Sequence, residues 1–215
     1  MDFIPSTPVL AAYVAAVLVI TFTPGPDMTL FLGKAVRQGR AAGMAAMLGA
    51  TTGILIHTTL VALGLSALLA ASATAFLILK VVGALYLFWL AVEAIRHGSA
   101  LTLDPGLSRR GGETFFRAWA KGLAVNLLNP KIIMFFVTFL PQFVSANDPH
   151  ATGKLLFLGA MLAVIAFPFC ALMILFAARL ADGLKRAPKL MRIVDWAFAG
   201  VFGAFAVRLL LTQRQ

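Results

Sequence analysis

Residues 8–33 read PVLAAYVAAVLVITFTPGPDMTLFLG, an apolar run interrupted by Thr23-Pro24-Gly25-Pro26-Asp27. A helix that crosses a bilayer needs about 20 predominantly apolar residues, and the run is long enough. Two prolines around a glycine end a continuous helix, because each proline lacks an N–H and clashes with the preceding turn, while glycine adds backbone freedom. Irregular backbone at membrane depth is tolerated only where it packs in protein or lines a polar cavity. The stretch therefore predicts a span made of two half-helices, with Asp27 at the start of the second.

The rest of the chain shares that solvent preference. Of its 215 residues 61% are hydrophobic and 12% charged, with a mean hydropathy of +0.94, whereas soluble domains carry about 25% charged residues. A soluble fold of this size leaves well over a quarter of its unfolded surface wet, which excludes an ordinary soluble enzyme. Long apolar runs bounded by charge or turn residues lie at about 8–33, 41–71, 74–95, 120–144, 155–178 and 196–211. Runs of these lengths call for helices, not alternating strands. The expected fold is all-α: a polytopic membrane bundle of six transmembrane helices in a single domain, 1–215. Met1-Asp2-Phe3 lacks the basic start of a signal peptide, so the first run is expected to remain as a span.

Loop charges set the direction. Lys34, Arg37 and Arg40 follow the first run; Arg96, Arg109, Arg110, Arg117 and Lys121 follow the third; Arg179, Lys185, Arg186, Lys189 and Arg192 follow the fifth. These are 13 of the 18 basic residues, all on one side, and Lys/Arg excess marks the cytoplasmic face. Both termini are thus expected outside. The same placement turns the net charge of +10 into membrane anchoring and argues against a nucleic-acid partner. Three spans per half imply two inverted repeats, about 1–98 and 113–215, joined by a cytoplasmic linker at 98–112 that carries Asp104-Pro105-Gly106 and Arg109-Arg110-Gly111-Gly112. Inverted repeats recur among secondary transporters.

The fourth run has its own break, Asn126-Leu127-Leu128-Asn129-Pro130-Lys131. Asn129 has the chemistry of an N-cap, and Pro130 that of a first helical residue. The expected site joins the two breaks: Thr23, Pro24, Gly25, Pro26 and Asp27 with Asn126, Asn129, Pro130 and Lys131. Half-helix ends bind ions, and one fixed charge of each sign suits a zwitterion. In the second run Ala42, Ala46, Gly49, Gly53, His57, Leu60 and Gly64 recur at helical spacing, with Gly49 and Gly53 as a close-packing pair. His57 falls on that face and is read either as a proton relay with Asp27 or a substrate ligand, or as a histidine hydrogen-bonded to a neighbouring helix. The packing face fits contact within one chain or across a homodimer.

These elements, with Gly33-Lys34-Ala35-Val36-Arg37-Gln38-Gly39 and Gly83-Ala84-Leu85-Tyr86-Leu87, resemble in order the LysE/RhtB family of bacterial amino-acid exporters. The resemblance runs from about 11 to 178. It implies proton-linked efflux of amino acids or related metabolites across the cytoplasmic (inner) membrane, with substrate, protons and lipid as partners. Asp27 stands where that family often carries asparagine. Other functions find less support. Cys170 is alone, and His57, His97 and His150 lack metal-ligand spacing, so no metal site or cofactor is expected. Gly153-Lys154 is followed by Leu155, which is not a P-loop. Eight acidic residues, mostly in loops, give an embedded enzyme little to work with. A metal-ion or other small-solute exporter, or a passive channel, stands as the alternative.

Overall fold

A computed structural model describes residues 5–72, 113–144 and 148–177 without interruption, and single positions within 74–96 and 179–207. The described residues contain helices and no strand, as an all-α bundle requires. α1 (Thr7–Phe22) leads through the first break into α2 (Pro26–Gln38). Gly39 follows at φ 97°, a left-handed turn suited to glycine, and the chain enters α3 (Arg40–Ala71). α4 (Phe115–Leu127) and the short α5 (Pro130–Met134) flank the second break. A π-helical turn (Phe135–Phe139) and a 3-10 turn (Leu140–Phe143) continue from α5, and α6 (Ala151–Leu175) comes after them.

α3 and α6 are each long and apolar enough to cross a membrane, and the two broken pairs pass the same test when taken as single spans. The first pair bends by 50° and the second by 51°. At about 1.5 Å per residue, the 32 residues of α3 exceed what a bilayer needs. The expected fourth run begins five residues early, because Thr114 caps α4 by accepting a hydrogen bond from the Arg117 N–H. Pro168 lies inside α6 without ending it. The described positions within the third and sixth runs are helical. The extents of those runs, the 98–112 linker and Gly83-Ala84 lie outside the described residues.

Two apolar clusters hold the bundle. In one, Tyr13 of α1 is fully buried against the phenylalanines of the π-helical turn, and its hydroxyl donates to the Leu158 carbonyl of α6 at 2.6 Å. Phe135, Phe136 and Phe139 are therefore core residues. The other cluster packs Met28, Phe31 and Leu32 of α2 on Met47 of α3 and Ile174 of α6.

Glycine decides how α3 meets α4. A Cβ on Gly49 would collide with the Trp119 carbonyl, one on Gly122 with the Ala46 carbonyl, and one on Gly53 with the Asn126 side chain. The small-residue face thus packs within one chain, backbone against backbone. It ends sooner than the spacing predicts. Leu60 is 62% exposed and, among the described residues, Gly64 has no neighbouring atom within 4 Å of a built Cβ, because α3 has by then passed the end of α4's contact. Gly122→Ala is expected to cost about 1–3 kcal/mol by overpacking, read as a lowered thermal midpoint in detergent. Gly64→Ala should leave the midpoint unchanged or raise it, since alanine is the better helix former.

Candidate functional site

The two breaks meet. Where α1 ends, the Ile20 carbonyl would normally accept from residue 24, but Pro24 has no N–H to give. Lys131 of α5 supplies the donor: its Nζ lies 3.1 Å from the Ile20 carbonyl and 2.7 Å from that of Thr23. A cation at a helix C-terminus also complements the macrodipole. The amine lies over Gly25, where a built Cβ would come within 3.2 Å of Nζ, so a side chain at position 25 would press on it.

The second break answers the first. Asn126, fully buried in the last turn of α4, donates from Nδ2 to Oδ2 of Asp27 in the first turn of α2 at 2.8 Å. Asn129 is the N-cap of α5: its Oδ1 accepts from the Lys131 N–H at 3.0 Å, and Pro130 follows as the first helical residue. The remaining Asn129 amide sits beside Asp27. Each broken span thus satisfies backbone or side-chain groups of the other, across 99 and 111 residues of sequence.

A cavity of about 70 Å³ opens where these groups converge, space for several water-sized groups. Thr23, Asp27, Asn126 and Lys131 form its polar end, while Phe31, Met47, Leu162 and Phe167 line apolar walls. Pro24, Gly25, Pro26, Asn129 and Pro130 shape the breaks without lining this space. Two buried acceptors at the polar end, Asp27 Oδ1 and Asn126 Oδ1, have no hydrogen-bond partner among the described residues. Buried polar groups are ordinarily paired, so two such acceptors beside the Lys131 ammonium mark a place for a polar guest.

His57 stands apart from the cavity lining. Its ring stacks on Phe136 with centroids 5.5 Å apart, next to the Asn126 backbone and within the field of Asp27. Its Nε2 is buried without a partner among the described residues. Thr51 and Cys170 line the cavity and were not singled out in the sequence. Thr51 could have been: it shares an α3 face with Met47 and Ile54 at steps of four and three, beside the glycine face.

At the basic end of α2, Lys34 does not reach to solvent as a simple anchor. Its side chain is 7% exposed and pairs with Glu113, which also binds Lys121 at 2.7 Å. Hydrogen bonds from Lys121 and Lys34 hold the Glu113 carboxyl below the usual carboxylate range.

Comparison with known proteins bears on what this arrangement serves. A homoserine/homoserine lactone efflux protein of Salmonella typhimurium is 32% identical over 192 residues, covering 89% of this chain and 90% of its own. A leucine efflux protein of Enterobacter sp. is 28% identical over 197 residues, 92% of each chain. An uncharacterised membrane protein of Pseudomonas aeruginosa is 30% identical over 199 residues, again 92% of each. No solved structure matches significantly. Residues 18–213 match the LysE type translocator family, and the chain therefore belongs to that family of membrane transporters.

Proposed function

We propose that this protein exports amino acids from the cytoplasm, using the cavity between the two broken spans as its binding site and an inward-moving proton as its drive. The observation that carries the reading is the meeting of Asp27 and Lys131 in one cavity with two buried acceptors, Asp27 Oδ1 and Asn126 Oδ1, that are unpartnered among the described residues. An α-ammonium group fits Asp27 Oδ1 and Asn126 Oδ1. An α-carboxylate fits the third N–H of Lys131, whose other two serve the carbonyls at the end of α1. The amino-acid side chain then faces the apolar walls, which favours uncharged side chains. The names of the relatives in Salmonella and Enterobacter, which export homoserine or its lactone and leucine, support the same substrate class.

Asp27 takes the returning proton in this scheme, with His57 beside it as the relay. One charge crossing 100 mV is worth about 2.3 kcal/mol, enough for a substrate gradient of roughly fiftyfold. The halves 1–98 and 113–215 act as inverted repeats that rock about the site. The shared end of α2 and α4, where Lys34 and Lys121 meet Glu113, faces the cytoplasm of a bacterial inner membrane, which puts both termini outside. Purified protein in liposomes tests the scheme. Labelled leucine and homoserine should exchange across the membrane, and an imposed proton gradient should drive their accumulation. No exchange of any amino acid would remove the substrate class; exchange that ignores the gradient would remove the coupling.

A further inference from the structure

A second polar space lies away from the substrate cavity, between α2 and α4, with a volume of about 320 Å³. Lys34, Arg37 and Lys121 line it together with Thr29, Gln38 and the bare backbone of Gly33. Among the described residues, no neighbouring atom lies within 4 Å of a Cβ built on Gly33, so a ligand can approach the helix closely there. Among the described residues, Lys34 and Lys121 share the carboxylate of Glu113, which leaves one positive charge over, and the Lys121 ammonium end is 60% exposed.

The surroundings identify the ligand's other half. Phe115 and Phe116, in the first turn of α4 beside Glu113, are 61% and 71% exposed. Phe116 stacks on Trp119 with ring centroids 5.4 Å apart. Tryptophan is enriched at headgroup depth on membrane helices, and the exposed phenylalanine rings beside Trp119 suit acyl chains. A cationic crevice with hydroxyl and amide donors beside such a band matches a molecule that is anionic at one end and apolar at the other. Basic pockets between transmembrane helices take lipid headgroups by this chemistry.

We propose that the crevice between α2 and α4 holds the phosphate of an anionic phospholipid. The lipid bridges the second half of the first broken span and the first half of the second. The proposal does not depend on which solute the protein carries.

Native mass spectrometry of the full-length protein, exchanged into detergent with equal phosphatidylglycerol and phosphatidylcholine of matched acyl chains, tests it. The wild type should retain the anionic lipid in preference to the zwitterionic one. Each basic residue near an anionic surface is worth about 1 kcal/mol, so Lys121→Gln should cut that preference about fivefold. Lys121→Arg should keep it, and so should Lys154→Gln, which removes a charge at the start of α6. Excess inorganic phosphate should leave the lipid bound. Equal retention of the two lipids overturns the proposal, as does a Lys121→Gln variant with wild-type preference or a Lys121→Arg variant that loses it. Displacement by phosphate also overturns it and assigns the crevice to soluble oxyanions.

Discussion

Asp27→Asn should leave the fold intact, slow amino-acid exchange about tenfold, and make the remaining flux indifferent to a proton gradient. The substitution is nearly isosteric. The variant's amide oxygen can occupy the Oδ2 position and keep the hydrogen bond from Asn126 Nδ2. What changes is the other atom: Oδ1, a buried acceptor without a partner among the described residues, becomes an NH₂ donor. A hydrogen bond to a charged group is worth about 1.5–3 kcal/mol, so an ammonium losing such an acceptor binds at least about tenfold more weakly. An amide also cannot accept and release a proton at physiological pH, so the drive is lost while exchange persists. Liposome exchange with and without an imposed proton gradient, beside a thermal midpoint in detergent, checks both parts. A variant that the gradient accelerates as much as the wild type would show that Asp27 does not carry the proton.

The first broken span was legible because its cause is local: Pro24 and Pro26 remove donors within one turn. Asn129 and Pro130 were legible for the same reason, as an N-cap and a first helical residue read from their own chemistry. The partnership between the breaks was not, because it is a product of packing. Nothing near Asp27 in sequence announces Asn126, and nothing near Lys131 announces the Ile20 carbonyl. The logic becomes visible once the helices are placed: a proline that leaves a carbonyl without a donor at membrane depth requires a donor from elsewhere in the protein. Lys34 misled for a related reason. A lysine after a span reads as an anchor until packing sets it against Glu113, 79 residues away in sequence. The glycine face was readable by spacing, but its end at the limit of α4 depends on how the two helices cross.

Lys131→Met should be the most damaging substitution at the site, lowering stability by about 3 kcal/mol through buried polar groups left without their charged partner, and abolishing exchange. An ordinary hydrogen bond between membrane helices averages only about 0.6 kcal/mol, because the alternative state finds partners too. Lys131 differs in two respects. Its acceptors are end-of-helix carbonyls, one of which faces a proline in place of an N–H donor, and its charge lies in the field of Asp27. Removing it leaves the carbonyls without a donor and takes away the nearby cation that offsets the Asp27 carboxylate, which then keeps Asn126 as its partner. The double variant Asp27→Asn with Lys131→Met separates these contributions. Neutralising Asp27 removes the stranded charge, so the double variant should melt above the Lys131→Met single variant, with a coupling energy of about 1 kcal/mol or more for residues in one network. It should remain inactive, because neither end of a zwitterion then meets a charge. Additive melting shifts would sink the electrostatic link between the two breaks. Exchange activity in the double variant would sink the zwitterion site itself.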